Sequence, residues 1–254
     1  MNLAEFMLLY LKINKLGGCT VKFKVHKDVF DKIHDVCFGG VVAYDIDNRG
    51  ENCNIERILR YEMDDFKIRL SGYNIKEYES IIPYRNAFKN LGINPNKYMS
   101  SIEAMGKRVS KGSKLPFINP VVNLVNSLSL KYIVPMGAHD IDDLKGEIVV
   151  RFSKEGDTFI PLGSDEVEEV EAGELVYSDR DRIRTRRWIW RQSSVGSITE
   201  DSKNIFFPID GFESKNKENV LNAMNELEEL LVKYFSCKTK KFFVDKDNRE
   251  VEIY

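Results

Sequence analysis

Helical and strand-like periodicities are interspersed along this chain without a regular strand–helix–strand rhythm, which argues against a doubly wound parallel sheet. Thr20–Val25 (TVKFKV) alternates apolar and polar residues as a half-buried strand does, and Phe38–Tyr44 (FGGVVAY) reads as a buried strand. Helical signals then cluster. Asn54 is expected to cap a helix carrying Ile55, Ile58, Leu59 and Phe66, Asn74 to cap a short one, and Pro83 to open another ending at Gly92. Ser100-x-x-Glu103 forms a capping box before Ile102, Met105 and Val109, and Lys111-Gly112 closes that helix. Asn119-Pro120 then caps and opens a largely apolar helix through Leu128.

Strand candidates dominate the next stretch. Ile148–Phe152 and Thr158–Leu162 flank SKEGD as in a hairpin, followed by Leu175–Tyr177 and Asn204–Ile209. Asn219–Phe235 is amphipathic, with Val220, Met224, Leu227 and Leu231 on one stripe, and the tail around Asp247-Asn248 reads as an appended hairpin. The expected fold class is α+β, with mixed or antiparallel sheets and packed helices. Residues 1–19 are expected to form a helical extension, 20–235 the main domain and 236–254 the hairpin-like tail.

A chain of 254 residues can bury a sizeable core. Its net charge of −2 excludes a protein that coats nucleic acid broadly, so any nucleic acid, DNA not being expected, would have to meet a local patch. Phe6–Leu11 lacks the cationic start of a signal peptide, and no apolar run approaches the roughly 18 residues of a membrane span. Cys19, Cys37, Cys53 and Cys237 form no CxxC pair. A cytoplasmic protein without membrane partner, metal or cofactor is the expectation. No phosphate-binding glycine loop, GxSxG or HExxH is present.

The segment Asp179–Ser194 (DRDRIRTRRWIWRQSS) holds six arginines and both tryptophans. If extended, it places Arg180, Arg182, Arg184 and Arg186 on one face with Trp188 and Trp190. Cations leading to two π surfaces suit a phosphate backbone ending in an unstacked base. The same residues also suit an edge strand guarded by arginine with its tryptophans in the core.

His139 stands in Pro135-Met-Gly-Ala-His-Asp-Ile-Asp-Asp143, where a carboxylate could orient or charge the ring and make it a base or ligand. Alternatively this is a turn whose aspartates cap the following backbone. Asn119, Asn123 and Asn126 share one helix face; capping accounts for the first, and the other two could read a polar ligand.

Tyr84-Arg85, Ser101-Ile-Glu-Ala104, Val121–Asn126, Pro135–Asp142, Gly173-Glu174, Arg187–Ser193 and Ile198-Thr199 stand in an order that resembles the B3/B4 domain, the editing module of the phenylalanyl-tRNA synthetase β subunit. The resemblance covers roughly residues 20–235. It implies an α+β domain that binds the 3′ acceptor end of an aminoacyl-tRNA and hydrolyses a wrongly attached amino acid, a double-sieve device. Against the synthetase pattern V-D-x-T-N and P-M-H-A-F-D, Asn123, Val125 and Gly137 replace Asp, Thr and His, while Asn126 is retained. The glycine-rich stretch ending in Gly-Gly-Glu aligns with RRWIWRQSS, which puts Ser194 near the specificity glutamate and a tryptophan near a small glycine. By this resemblance His139, Gln192 and Ser193 are the catalytic candidates. Asn123, Asn126, Gly137, Trp188, Trp190, Arg191 and Ser194 would contact the substrate, and Arg180, Arg182, Arg184, Arg186 and Arg187 the RNA. A non-catalytic tRNA- or RNA-binding module and a small-ligand or protein-interaction domain are the alternatives.

Overall fold

The computed structural model describes residues 20–254, so the expected first helix lies outside the described residues. Strand β1 (Lys22–Val25) and helix α1 (Lys27–Lys32) lead into β2 (Val36–Tyr44). Four helices follow: α2 (Cys53–Arg69), α3 (Ile82–Asn90), α4 (Ser101–Ser110) and α5 (Pro120–Tyr132), with a short 3-10 turn at Ile75–Glu77. The strand-rich part comprises β3 (His139–Asp140), β4 (Ile148–Phe152), β5 (Thr158–Phe159), β6 (Glu168–Glu169), β7 (Leu175–Asp179), β8 (Arg182–Arg186), β9 (Arg191–Gln192) and β10 (Ile205–Phe212). Helix α6 (Lys217–Phe235) precedes β11 (Lys238–Val244) and β12 (Glu250–Glu252).

The first sheet runs β12-β1-β4-β7-β8-β5-β6, with β9 bonded to β8; β1–β4 and β5–β8 are parallel pairs. The second runs β11-β2-β10-β3 and is antiparallel throughout. This is an α+β fold with mixed sheets.

Period-two alternation sorts the second sheet's side chains into two cores. Phe38 and Val42 of β2 and Phe206 and Phe212 of β10 face the first sheet, where they meet Phe23, Val25, Ile148, Val150 and Tyr177. The intervening Val41, Ala43, Ile205, Phe207 and Ile209 pack on α5 and α6. A third cluster joins α2 to α4. Gly40 lies directly opposite Phe242 in register, and a Cβ there would fall 2.2 Å from that ring, so the missing side chain is what lets the phenyl lie over β2.

Three local expectations change. Asn52, not Asn54, caps α2, accepting from the backbone N–H groups of Asn54 and Ile55, because a cap must precede the first helical residue. Strands β4 and β5 do not form a hairpin. Asp157 is held by a two-point ion pair to Arg151, and Thr158 N–H turns to Asp181 O, so β7 and β8 enter between the two strands. The tail strands do not pair with each other either. Strand β11 extends the second sheet and β12 the first, with Phe242, Val244 and Ile253 buried in the core between the sheets. Burying that apolar surface outweighs a free-standing ribbon, which is marginal in water.

Candidate functional site

Where the end of β8 meets β10 and β3, the two sheets leave a cavity of about 70 Å³. The first sheet contributes Tyr177, Thr185, Arg191 and Gln192, with Trp188–Trp190 from the turn before β9. The second contributes Met136, Gly137, His139, Pro208 and Asp210, and Ser101 comes from the start of α4.

Asp210 occupies the same parity of β10 as Phe206 and Phe212, so alternation drives a carboxyl into an aromatic core. Its Oδ1 accepts from the Tyr177 hydroxyl at 2.7 Å and from the Trp188 indole Nε1–H at 2.6 Å. Its Oδ2 receives no hydrogen bond from a described residue. Burial pushes its pKa up to about 7, against the opposing pull of those two donors. Around it, Tyr84 donates to the Asp210 carbonyl at 2.8 Å, and Asn216 donates to the Tyr84 hydroxyl at 2.7 Å.

The turn that delivers Trp188 is unusual. Arg187 and Trp188 have φ of 46° and 63°, a region that costs of order 1–3 kcal/mol for non-glycine residues. Packing of the indole against Tyr84, Phe88 and Phe212, and the bond to Asp210, hold it there.

His139 is buried between the rings of Tyr177 and Phe206, at centroid distances of 6.0 and 6.3 Å. Burial, and secondarily the nearby Arg184 cation, lower its pKa to about 3, so the ring is neutral near pH 7. Its Nδ1 has no hydrogen-bond partner among the described residues. The neighbouring carboxylates do not orient it. Asp140 accepts from Asp142 N–H and the Ser202 hydroxyl, Asp142 from Asn204, and Asp143 from Arg182 and Arg184. Asp140 thus caps the backbone that follows it, whereas Asp142 ties the loop to the segment before β10 and Asp143 pairs with arginines, and none of the three charges the imidazole.

A family model for the B3/4 domain matches residues 83–236, more than half of the chain, and every cavity-lining residue lies inside that span. The chain belongs to the B3/4 domain family. The phenylalanine–tRNA ligase β subunit of Fusobacterium nucleatum is 33% identical over 135 residues, 52% of this chain and 15% of that protein. The same subunit of Pectobacterium atrosepticum is 34% identical over 88 residues, 35% of this chain and 11% of that protein. A crystal structure of an N-terminal fragment of the phenylalanyl-tRNA synthetase β subunit from Pyrococcus horikoshii shares 17% identity, 49% of this chain and 44% of its own, with a TM-score of 0.39. This B3/4 domain protein thus matches a small part of the length of its curated relatives.

Of the residues singled out in the sequence, the B3/4 cavity gathers Gly137, His139, Trp188, Trp190, Arg191 and Gln192. It does not gather the others. The Ser193 hydroxyl is buried, donates to Ile160 O at 2.8 Å and accepts from Val195 N–H, and Ser194 turns to the same carbonyl. Asn123 is buried with its Oδ1 accepting from Ile118 N–H, a capping role for the loop before α5. Asn126 is half-buried on the same helix and does not line the cavity. Asp210, Tyr177 and Ser101 were not singled out. The signal for Asp210 was its parity with Phe206 and Phe212 in IFFPIDGF.

The arginine ladder is a set of ion pairs, not an open cationic face. Strand geometry holds only over Arg182–Arg186, and positive φ at Arg180, Arg187 and Trp188 breaks the shared face. Arg184 is fully buried, bonded to Asp143, Asp179 and the Asp140 carbonyl. Arg182 pairs with Asp179 and Asp143, and Arg186 with Glu174 and Glu168. Arg187 pairs with Glu174 while lying 4.0 Å over the Tyr98 ring and 4.8 Å over the Trp190 ring. Only Arg180 and Arg191 are exposed, at opposite ends of β8. Among the described residues no helix is long and apolar enough to cross a membrane.

Proposed function

We propose that this B3/4 domain protein binds the 3′ acceptor end of a mischarged aminoacyl-tRNA and hydrolyses its ester in trans. The observation that carries the reading is the cavity itself: it lies wholly within the matched B3/4 span and joins a neutral imidazole, a carboxamide and an aromatic wall beside exposed Arg191. The phenylalanine–tRNA ligase β subunits it resembles carry tRNA in their name.

Ester hydrolysis needs a placed water and donors for the developing oxyanion, more than a strong nucleophile. The neutral His139 ring accepts or donates a hydrogen bond to such a water without carrying charge. Gln192 is anchored by its Nε2 to Ala138 O at 2.7 Å, which orients its amide, and the Ser101 and Thr185 hydroxyls complete the polar lining. Ser193 is left out of the chemistry because its hydroxyl is committed elsewhere. Arg191 and the stacked Arg187–Trp190 pair flank the cavity, where a terminal base and phosphate would sit.

Purified protein incubated with tyrosine-, serine- and alanine-mischarged tRNAs is expected to release at least one amino acid faster than spontaneous ester loss. His139→Ala and Gln192→Ala should then slow the chemical step more than they weaken tRNA binding. Spontaneous rates across the whole panel would remove the hydrolase and leave a tRNA-binding module.

A further inference from the structure

We propose that Asp210 is the anchor for the α-ammonium of a small aminoacyl group, so that the cavity selects amino acids with short side chains. This rests on reading the cavity as the aminoacyl site, and it gives that site a substrate class.

Asp210 is a buried carboxyl with one oxygen saturated by two donors and the other bonded to no described residue. It lines the cavity, and no described cation pairs with it. Arg184 is spent on Asp143, Asp179 and a carbonyl, and Arg191, which lines the same cavity, is exposed and makes no ion pair with Asp210. The remaining polar groups packed around Asp210 are neutral: Tyr84 from α3, Tyr177 from β7, His139 from β3 and the Trp188 indole. An uncompensated buried carboxylate costs several kcal/mol, so burial without a cation keeps Asp210 partly in its acid form near pH 7, and an ammonium beside it would favour the ionised form. A ligand carrying its own cation supplies the missing partner, and a hydroxyl would not.

Size restricts the rest of the ligand. A cavity that admits benzene measures roughly 150 Å³. At about 70 Å³, with the Trp188 indole fixed in its wall by three aromatic neighbours, this one accommodates an ammonium and a methyl- or hydroxymethyl-sized side chain. A phenol ring would not be enclosed beside them and would have to project from the cavity's mouth.

The test uses alanine amide, which has the ammonium but no hydrolysable ester, and lactamide, in which a hydroxyl replaces it. The Trp188 Nε1–H signal reports directly on the Asp210 carboxyl, and Trp190→Phe identifies it, since the chain has two tryptophans. Alanine amide should shift that signal saturably and lactamide should not. Asp210→Asn, which keeps an oxygen for both donors, should weaken alanine amide binding about tenfold or more. Equal shifts with the two ligands, no shift with alanine amide, or unchanged binding in folded Asp210→Asn would overturn the proposal. If alanine amide binds as expected while every charged tRNA decays spontaneously, the ammonium site stands and the hydrolase falls. If alanyl- and lactyl-tRNA are hydrolysed equally well, the hydrolase stands and the ammonium site falls.

Discussion

The indole Nε1–H of Trp188 points at Oδ1 of Asp210 across 2.6 Å, tying the strained turn before β9 to the middle of β10. That bond couples the two sheets at the cavity. Trp188→Phe keeps most of the ring packing but leaves the carboxyl with Tyr177 as its only described side-chain donor. A cost of about 1–3 kcal/mol in urea unfolding is expected, the usual range for a buried acceptor deprived of a partner. A change below about 0.5 kcal/mol would mean the bond contributes little.

Two buried groups in this region give opposite pH dependences. The Asp210 carboxyl is raised to about 7, against about 3.9 in an unfolded chain. Between those values the folded state holds a proton the unfolded state releases, so this group's stabilisation is lost as pH rises. His139 is lowered to about 3 from about 6.5. There the unfolded state holds the extra proton, and stability is gained as pH rises. Each slope is at most about 1.4 kcal/mol per pH unit, and they oppose each other between about pH 4 and 6.5. Relative to wild type, Asp210→Asn should gain stability over that interval and His139→Gln should lose it. Urea midpoints at its two ends measure both, and parallel curves for either variant would contradict the assignment.

Arg184 and Arg191 should separate cleanly. Arg184→Ala strips the buried Asp179 of a partner and is expected to cost about 3–5 kcal/mol, with Arg182 retaining part of the compensation. Arg191→Ala removes an exposed side chain and should stay within about 0.5 kcal/mol of wild type. On the proposed function, Arg191→Ala weakens tRNA binding and lowers its logarithmic salt slope by about 1. Filter binding across a salt series checks this, and an unchanged slope would move the RNA contact away from β9.

Gly40→Ala places a methyl where the Phe242 ring lies, and should cost about 1–3 kcal/mol through overpacking. Combined with Phe242→Leu, the penalty should be smaller than the sum of the two, because they share one space. Thermal unfolding of the four proteins in that cycle decides it.

Local chemistry was legible in the residues themselves. Asn74, Pro83, Ser100 and Asn119-Pro120 open their helices as capping and first-turn preferences dictate, and β1, β2, β4, β7, β10 and α6 follow their apolar periods. These signals act within a few residues. Strand partnership does not. Nothing local distinguishes β4–β5 as a hairpin from two strands separated by β7 and β8, and nothing local sends β11 and β12 to different sheets.

The amino-acid sequence alone determined an α+β chain and placed in it a concentrated arginine–tryptophan segment and a histidine loop. Tertiary structure decided what those residues are there. Aspartate and glutamate from neighbouring strands and turns neutralise four of the arginines, burial beside aromatic rings discharges His139, and the parity of β10 brings Asp210 into contact with Trp188. The physical reason is that charge and burial depend on every neighbour in space, whereas periodicity and capping depend only on neighbours along the chain.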